Sequence, residues 1–181
     1  SCVFAIRSLN DPSKTCEVEN FGNTINTTAS EFSGKLNNQY LEFSSLRADS
    51  VNSNLVVFEP NYKVAIYSSK KDTIWSLPLP IDTIINDKNY HNANGTNSIG
   101  SDLYIFSRCD SLSNCKLYYS KITTNKISNP LELPEKINAK GTNTTHPNIA
   151  IINDKQYLFF SSNRKGGQGN LDIWYAEILD G

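Results

Sequence analysis

The run Thr145-His-Pro-Asn-Ile-Ala-Ile-Ile-Asn-Asp-Lys-Gln-Tyr-Leu-Phe-Phe-Ser-Ser-Asn-Arg-Lys-Gly-Gly-Gln-Gly-Asn-Leu-Asp-Ile-Trp-Tyr-Ala-Glu-Ile178 reads as strand, turn, strand, glycine-rich loop, strand. Asn153-Asp154-Lys155 is turn chemistry between two apolar runs, residues 149–152 and 157–160. Gly166-Gly167-Gln168-Gly169-Asn170 permits positive φ before a third run, residues 171–178, rich in β-branched and aromatic side chains. Taken alone, the stretch indicates antiparallel sheet.

Its copies indicate a repeat. Tyr157-Leu158-Phe159-Phe160-Ser161-Ser162-Asn163-Arg164 shares six of eight residues with Tyr40-Leu41-Glu42-Phe43-Ser44-Ser45-Leu46-Arg47, at an offset of 117. Between them, Leu103-Tyr104-Ile105-Phe106-Ser107-Arg108 keeps the Phe-Ser step. A second track aligns Ala65-Ile66-Tyr67-Ser68 with Leu117-Tyr118-Tyr119-Ser120 and Ile173-Trp174-Tyr175-Ala176, with Ala5-Ile6-Arg7-Ser8 as a fourth copy. A third is Ile25-Asn26, Ile85-Asn86 and Ile137-Asn138. Three tracks sharing one period of roughly 50–60 residues approach the length of a four-stranded propeller blade stretched by loop insertions.

At these residues the chain resembles a known family. Pro147, Asn153-Asp154-Lys155, Phe160-Ser161-Ser162-Asn163-Arg164, Gly166-Gly167 and Asp172-Ile173-Trp174 are similar to the TolB-like (WD-type) β-propeller repeat, in the form found beside OmpA-like domains in Bacteroidetes envelope proteins. The resemblance implies an all-β fold, part of a propeller of four-stranded antiparallel blades. It also implies a cell-envelope setting (periplasm, outer-membrane-associated or extracellular) with a protein or peptidoglycan-associated partner. The middle repeat departs from the pattern: it lacks the Gly-Gly loop, has Asp110 where the others have arginine, and has Lys116 in place of Asp172.

Taken in order, residues 1–22 read as the last half of a blade, 23–80 as a complete blade, 81–134 as a second, and 135–181 as a third without its outer strand. The inner strands, near 32–36 and 92–99, are weak and polar. Outer strands are expected at 73–79 and 126–133, with Pro78, Pro80, Pro130 and Pro134 on or beside them, where a missing donor is tolerable. The long connection 46–61, with its Leu55-Val56-Val57-Phe58 run, reads as an insertion. This count predicts that the segment does not close a ring alone and that further blades, of the same protein or of another chain, complete it.

A net charge of −1 with interspersed signs gives no basic block for nucleic acid, and the apolar runs are too short to span a bilayer. Without methionine, the sequence is expected to begin downstream of a translation start. Cys109 and Cys115 flank a hairpin turn, and Cys2 and Cys16 flank another. Two disulfides, and hence an oxidising compartment, are the expectation. Cys2 after Ser1 also fits the lipidated end of a lipoprotein signal. Neither cysteine pair has zinc-ligand spacing, and His91 and His146 have no partner spacing, so no metal or other cofactor is expected.

Catalytic constellations are not evident. There is no Gly-x-Ser-x-Gly elbow, and Glu31, Asp82, Asp87, Asp102 and Asp154 read as solvated turn carboxylates rather than a glycosidase pair. Arg47, Arg164 and Asp172 recur at strand ends and read as structural, the arginines pairing with a carboxylate or with carbonyls of a neighbouring strand. His146, at the start of an inner strand, is the one candidate for ligand contact. The sequence therefore points to a non-catalytic interaction domain, with a propeller attached to a hydrolase as the alternative.

Overall fold

A computed structural model describes residues 18–47, 62–98, 100, 102–124 and 126–179. These residues contain no helix and form three antiparallel sheets. The first sheet runs β1 (Glu31–Asn37), β2 (Tyr40–Ser45), β3 (Ala65–Lys70) and β4 (Leu79–Pro80) in chain order. The second consists of β5 (His91–Asn97), β6 (Leu103–Cys109), β7 (Cys115–Thr123), β8 (Lys126–Ile127) and β9 (Leu131–Glu132), with β8 and β9 both pairing to β7. The third has β10 (Thr144–Ile152), β11 (Lys155–Ser162) and β12 (Asp172–Ile178). The expected outer strands are thus much shorter than 73–79 and 126–133: two-residue pairings survive, β4 in the first sheet and β8 and β9 in the second, with Tyr67–Pro80 and Tyr118–Glu132 at matching places. Prolines beside these segments remove donors that a longer ladder would need.

Turn chemistry sets the hairpins. Asn153 and Asp154 both take positive φ (50° and 61°) between the paired Ile152 and Lys155, the two-residue hairpin whose twist matches its strands. Between β6 and β7 the Asp110 carboxylate accepts the N–H groups of Leu112 and Asn114, and Cys109, paired directly with Cys115, forms the expected disulfide. The Cys2–Cys16 pair, the half blade placed at 1–22 up to residue 17, and the insertion from residue 48 to 61 lie outside the described residues.

Each first strand breaks register at one place: between Phe32 and Lys35, Ala93 and Thr96, and Thr145 and Asn148. In each break one residue is left-handed, namely Ser33 (φ 55°), Asn94 (φ 58°) and His146 (φ 52°). These are bulges recurring at one position of three sheets, so they belong to the architecture.

The sheets pack face to face. Ile66 of β3 meets Tyr104 and Phe106 of β6, with Ile85 of the linker between them. On the other side of the second sheet, Ile105 and Leu117 meet Ile149, Leu158 and Phe160 of the third. The second sheet is therefore buried on both faces, which explains why β6 reads as consecutive apolar residues rather than alternating ones. Phe106, Ile66 and Leu117 are fully buried, and each side chain contributes about 1.5–3 kcal/mol by leaving water.

The structure corrects one alignment. Tyr67 pairs with Phe43, Tyr118 with Phe106 and Trp174 with Phe160, so Tyr67 corresponds to Tyr118, not to Tyr119. A one-residue slip in a strand moves every side chain to the opposite face.

Candidate functional site

The polar chemistry of the described residues is concentrated where one sheet meets the next. Each linker opens with a turn: the N–H groups of Ile25 and Asn26 donate to Gly22 O, those of Ile85 and Asn86 to Asp82 O, and those of Ile137 and Asn138 to Pro134 O. The isoleucine carbonyl then receives an arginine from the sheet that follows. Arg47 Nη2 reaches Ile25 O at 2.8 Å, Arg108 Nη2 reaches Ile85 O at 2.9 Å, and Arg164 Nη2 donates to Ile137 O.

Every one of these guanidinium groups also lies over two rings of its own sheet. Arg47 stands 5.2 Å from Phe43 and 4.7 Å from Tyr67; Arg108 stands 5.2 Å from both Phe106 and Tyr118; Arg164 stands 4.8 Å from Phe160 and 5.3 Å from Trp174. Partly desolvated cation–π contacts contribute about 0.5–2 kcal/mol each. Arg47 and Arg164 thus occupy equivalent places, each with Nε held by the serine two residues earlier. In the second sheet the cation is Arg108. Asp110 merely ties its own turn, and the arginine has moved two residues along the strand onto the position of Ser45 and Ser162. Positions i and i+2 share a strand face, so the long side chain still reaches the linker, with Asn92 Oδ1 accepting its Nε–H at 2.8 Å in place of the serine.

Glu31 is not a solvated turn carboxylate. It lies in β1 with its side chain 12% exposed, 3.1 Å from Arg47. Burial alone would raise its pKa, but hydrogen bonds from Thr27 and Ser45, with the Arg47 charge, hold it below the ordinary carboxylate value.

The linker asparagines fasten the preceding sheet. Asn86 accepts the Ile66 N–H at 2.9 Å and donates to Ile66 O at 2.8 Å; Asn138 does the same to Leu117, at 2.9 Å both ways, and donates to Leu133 O as well. Ile85-Asn86 and Ile137-Asn138 are consequently two-sided latches, the asparagine gripping the sheet before and the isoleucine carbonyl gripped by the sheet after, whereas Asn26 bonds to Asn20 Oδ1. A further bond crosses both seams from the bulges: the Asn94 N–H donates to Ser44 Oγ at 2.9 Å and the His146 N–H to Ser107 Oγ at 3.1 Å. His146, the candidate for ligand contact, uses its backbone in this bond; its side chain is exposed. Asp172 accepts N–H bonds from Gln168 and Gly169 and so wraps the glycine loop around itself, close enough that a Cβ on Gly167 would fall 2.0 Å from its Oδ2.

One ionisable group in the seams was not singled out by sequence. Glu42 of β2 accepts the Tyr104 hydroxyl of β6 at 2.6 Å, across the first seam, and Lys35 is its neighbour on β1. Burial raises the Glu42 pKa above its ordinary 4.5, opposed by the Tyr104 bond and the Lys35 charge, and burial lowers that of Lys35, opposed by Glu42. A carboxyl raised in the fold stabilises through its neutral form; that contribution is complete below about pH 4.5 and is lost as pH rises through the folded pKa. Glu42→Gln keeps the acceptor oxygen and is permanently neutral. Its urea midpoint is expected to match wild type near pH 4 and to exceed it near pH 8; a variant less stable at pH 8 would refute the assignment.

Among the described residues no group of three or more His, Cys, Asp or Glu side chains is placed to hold a metal ion. No helix among the described residues is long and apolar enough to cross a membrane. No protein-family model, curated protein or solved structure matches the chain.

Proposed function

We propose that the chain is a segment of a TolB-like β-propeller, with each sheet a blade, serving as a non-catalytic interaction domain of a bacterial envelope protein. The observation that carries this reading is the recurrence of one latch: arginine to isoleucine carbonyl, and asparagine to the third strand of the sheet before. Successive sheets joined face to face by the same contacts are the construction of a propeller ring. The Cys109–Cys115 disulfide supports an oxidising compartment such as the periplasm or cell exterior. The partner is a protein or the cell wall, met through loops and sheet ends rather than through the seams, whose serine, asparagine and arginine groups bond from one sheet to the next.

Co-sedimentation tests the reading. The purified chain is spun with peptidoglycan sacculi, either carrying their bound envelope proteins or stripped of them by protease. Retention by one or both preparations is expected, and loss of retention on stripping assigns the partner as protein. Turnover of the glycan, or no retention by either preparation, would overturn the proposal and favour a propeller attached to a hydrolase.

A further inference from the structure

The two seams follow one rule, and the third sheet obeys half of it. In the first seam the receiving face presents Ser44 paired with Ile66; in the second it presents Ser107 paired with Leu117. Both serines and both aliphatic residues are at most 1% exposed, covered by the sheet that follows. The third sheet carries the same pair, Ser161 with Ile173, at the same place. Here Ile173 is 80% exposed and Tyr175, two residues on, is 70% exposed. Tyr175 corresponds to Tyr119, which packs into the second seam, and its ring lies 6.1 Å from Phe159 and 6.0 Å from Tyr157. The result is an apolar, aromatic face with the layout of two faces that are buried.

We propose that this face docks a further sheet of the same repeat type, one lying outside residues 18–179. The two existing seams specify its chemistry. It brings a linker Ile-Asn whose carboxamide accepts the Ile173 N–H and donates to the Ile173 carbonyl, as Asn86 does for Ile66 and Asn138 for Leu117. It brings a bulge N–H for the Ser161 hydroxyl and a second-strand phenylalanine to lie on Ile173. A second copy of this chain is a poor occupant. Its corresponding face, on the first sheet, carries Leu41, Phe43 and Tyr67 at 6%, 3% and 4% exposure, and so is already covered. The inference rests on the seams alone and holds whatever partner the domain binds.

The test extends the chain after Leu179 with a second copy of residues 124–179, which supplies a linker and a complete docking face. Amide exchange at Ile173 is compared in the native and extended chains. Docking is expected to slow it about 100-fold, and an Asn→Ala change at the appended copy of Asn138 is expected to abolish the slowing. Tyr175→Asp should abolish it too while leaving exchange at Leu117 unchanged. Unaltered exchange at Ile173 in the extended chain would overturn the proposal. So would a concentration-dependent dimer of the native chain that Tyr175→Asp dissolves, since the occupant would then be a second copy.

Discussion

Replacing Asn138 by alanine is expected to destabilise the chain by about 2–5 kcal/mol. Asn138 is 3% exposed and its carboxamide makes three hydrogen bonds, all at 2.9 Å. The Leu117 carbonyl keeps a second donor in the Leu133 N–H. The Leu117 N–H and the Leu133 carbonyl do not, and each orphaned buried group costs roughly 1–3 kcal/mol. Asn138→Asp separates hydrogen bonding from packing, because it preserves shape. One carboxylate oxygen still accepts the Leu117 N–H, but the other faces two carbonyl oxygens where an NH2 had been. The aspartate variant should therefore be no more stable than alanine, and urea midpoints with unchanged slope would establish both values. An aspartate variant as stable as wild type would mean that the carboxamide does not bridge the two strands.

Gly95→Ala is expected to cost about 2–4 kcal/mol. A Cβ there would sit 1.7 Å from Tyr104 Oη and 2.5 Å from Glu42 Oε1. The tyrosine ring cannot simply step aside, since it is 1% exposed and packed beside Phe106, Ile66 and Ile85. Moving it breaks the 2.6 Å bond to Glu42 and leaves a buried carboxyl without its donor. Gly34, next to the bulge residue Ser33 as Gly95 is next to Asn94, supplies the control. A Cβ at Gly34 meets only Leu41 Cδ1, at 3.8 Å. Gly34→Ala should change stability by no more than about 0.5 kcal/mol. Equal losses from the two alanines, read from thermal or urea unfolding, would show that backbone freedom and not the Tyr104–Glu42 contact accounts for the glycine.

What was legible in the sequence was the apolar and turn chemistry. The Phe-Ser runs of β2, β6 and β11 and the Asn153-Asp154 turn declare themselves because burial and positive φ restrict residue choice. β5 was hard to read because it is a buried strand built from polar residues. Asn92, Asn94 and Thr96 are 1%, 5% and 4% exposed, and their polar groups bond across the seams or to Arg108. The register slip at Tyr67 arose because tyrosine occurs at both Tyr118 and Tyr119, so composition could not choose between faces. The arginine over the ring does choose. Arg108 escaped because an alignment fixes positions along a strand, whereas a long side chain fixes only where its charge ends. Glu42 and Tyr104, 62 residues apart, leave no local pattern at all.

Asn86 and Asn138 each clamp the third strand of the sheet before them. Native-state hydrogen exchange at the outward-facing amides of Ile66 and Leu117 tests this clamp most directly. Neither amide points at its paired neighbour in β2 or β6; each is held by a side chain, Asn86 or Asn138. Both should exchange only through unfolding of the seam, at rates that follow global stability and rise in Asn86→Ala and Asn138→Ala respectively. Exchange at either amide as fast as in the exposed turn at Asn153 and Asp154 would contradict the latch and the repeat built on it.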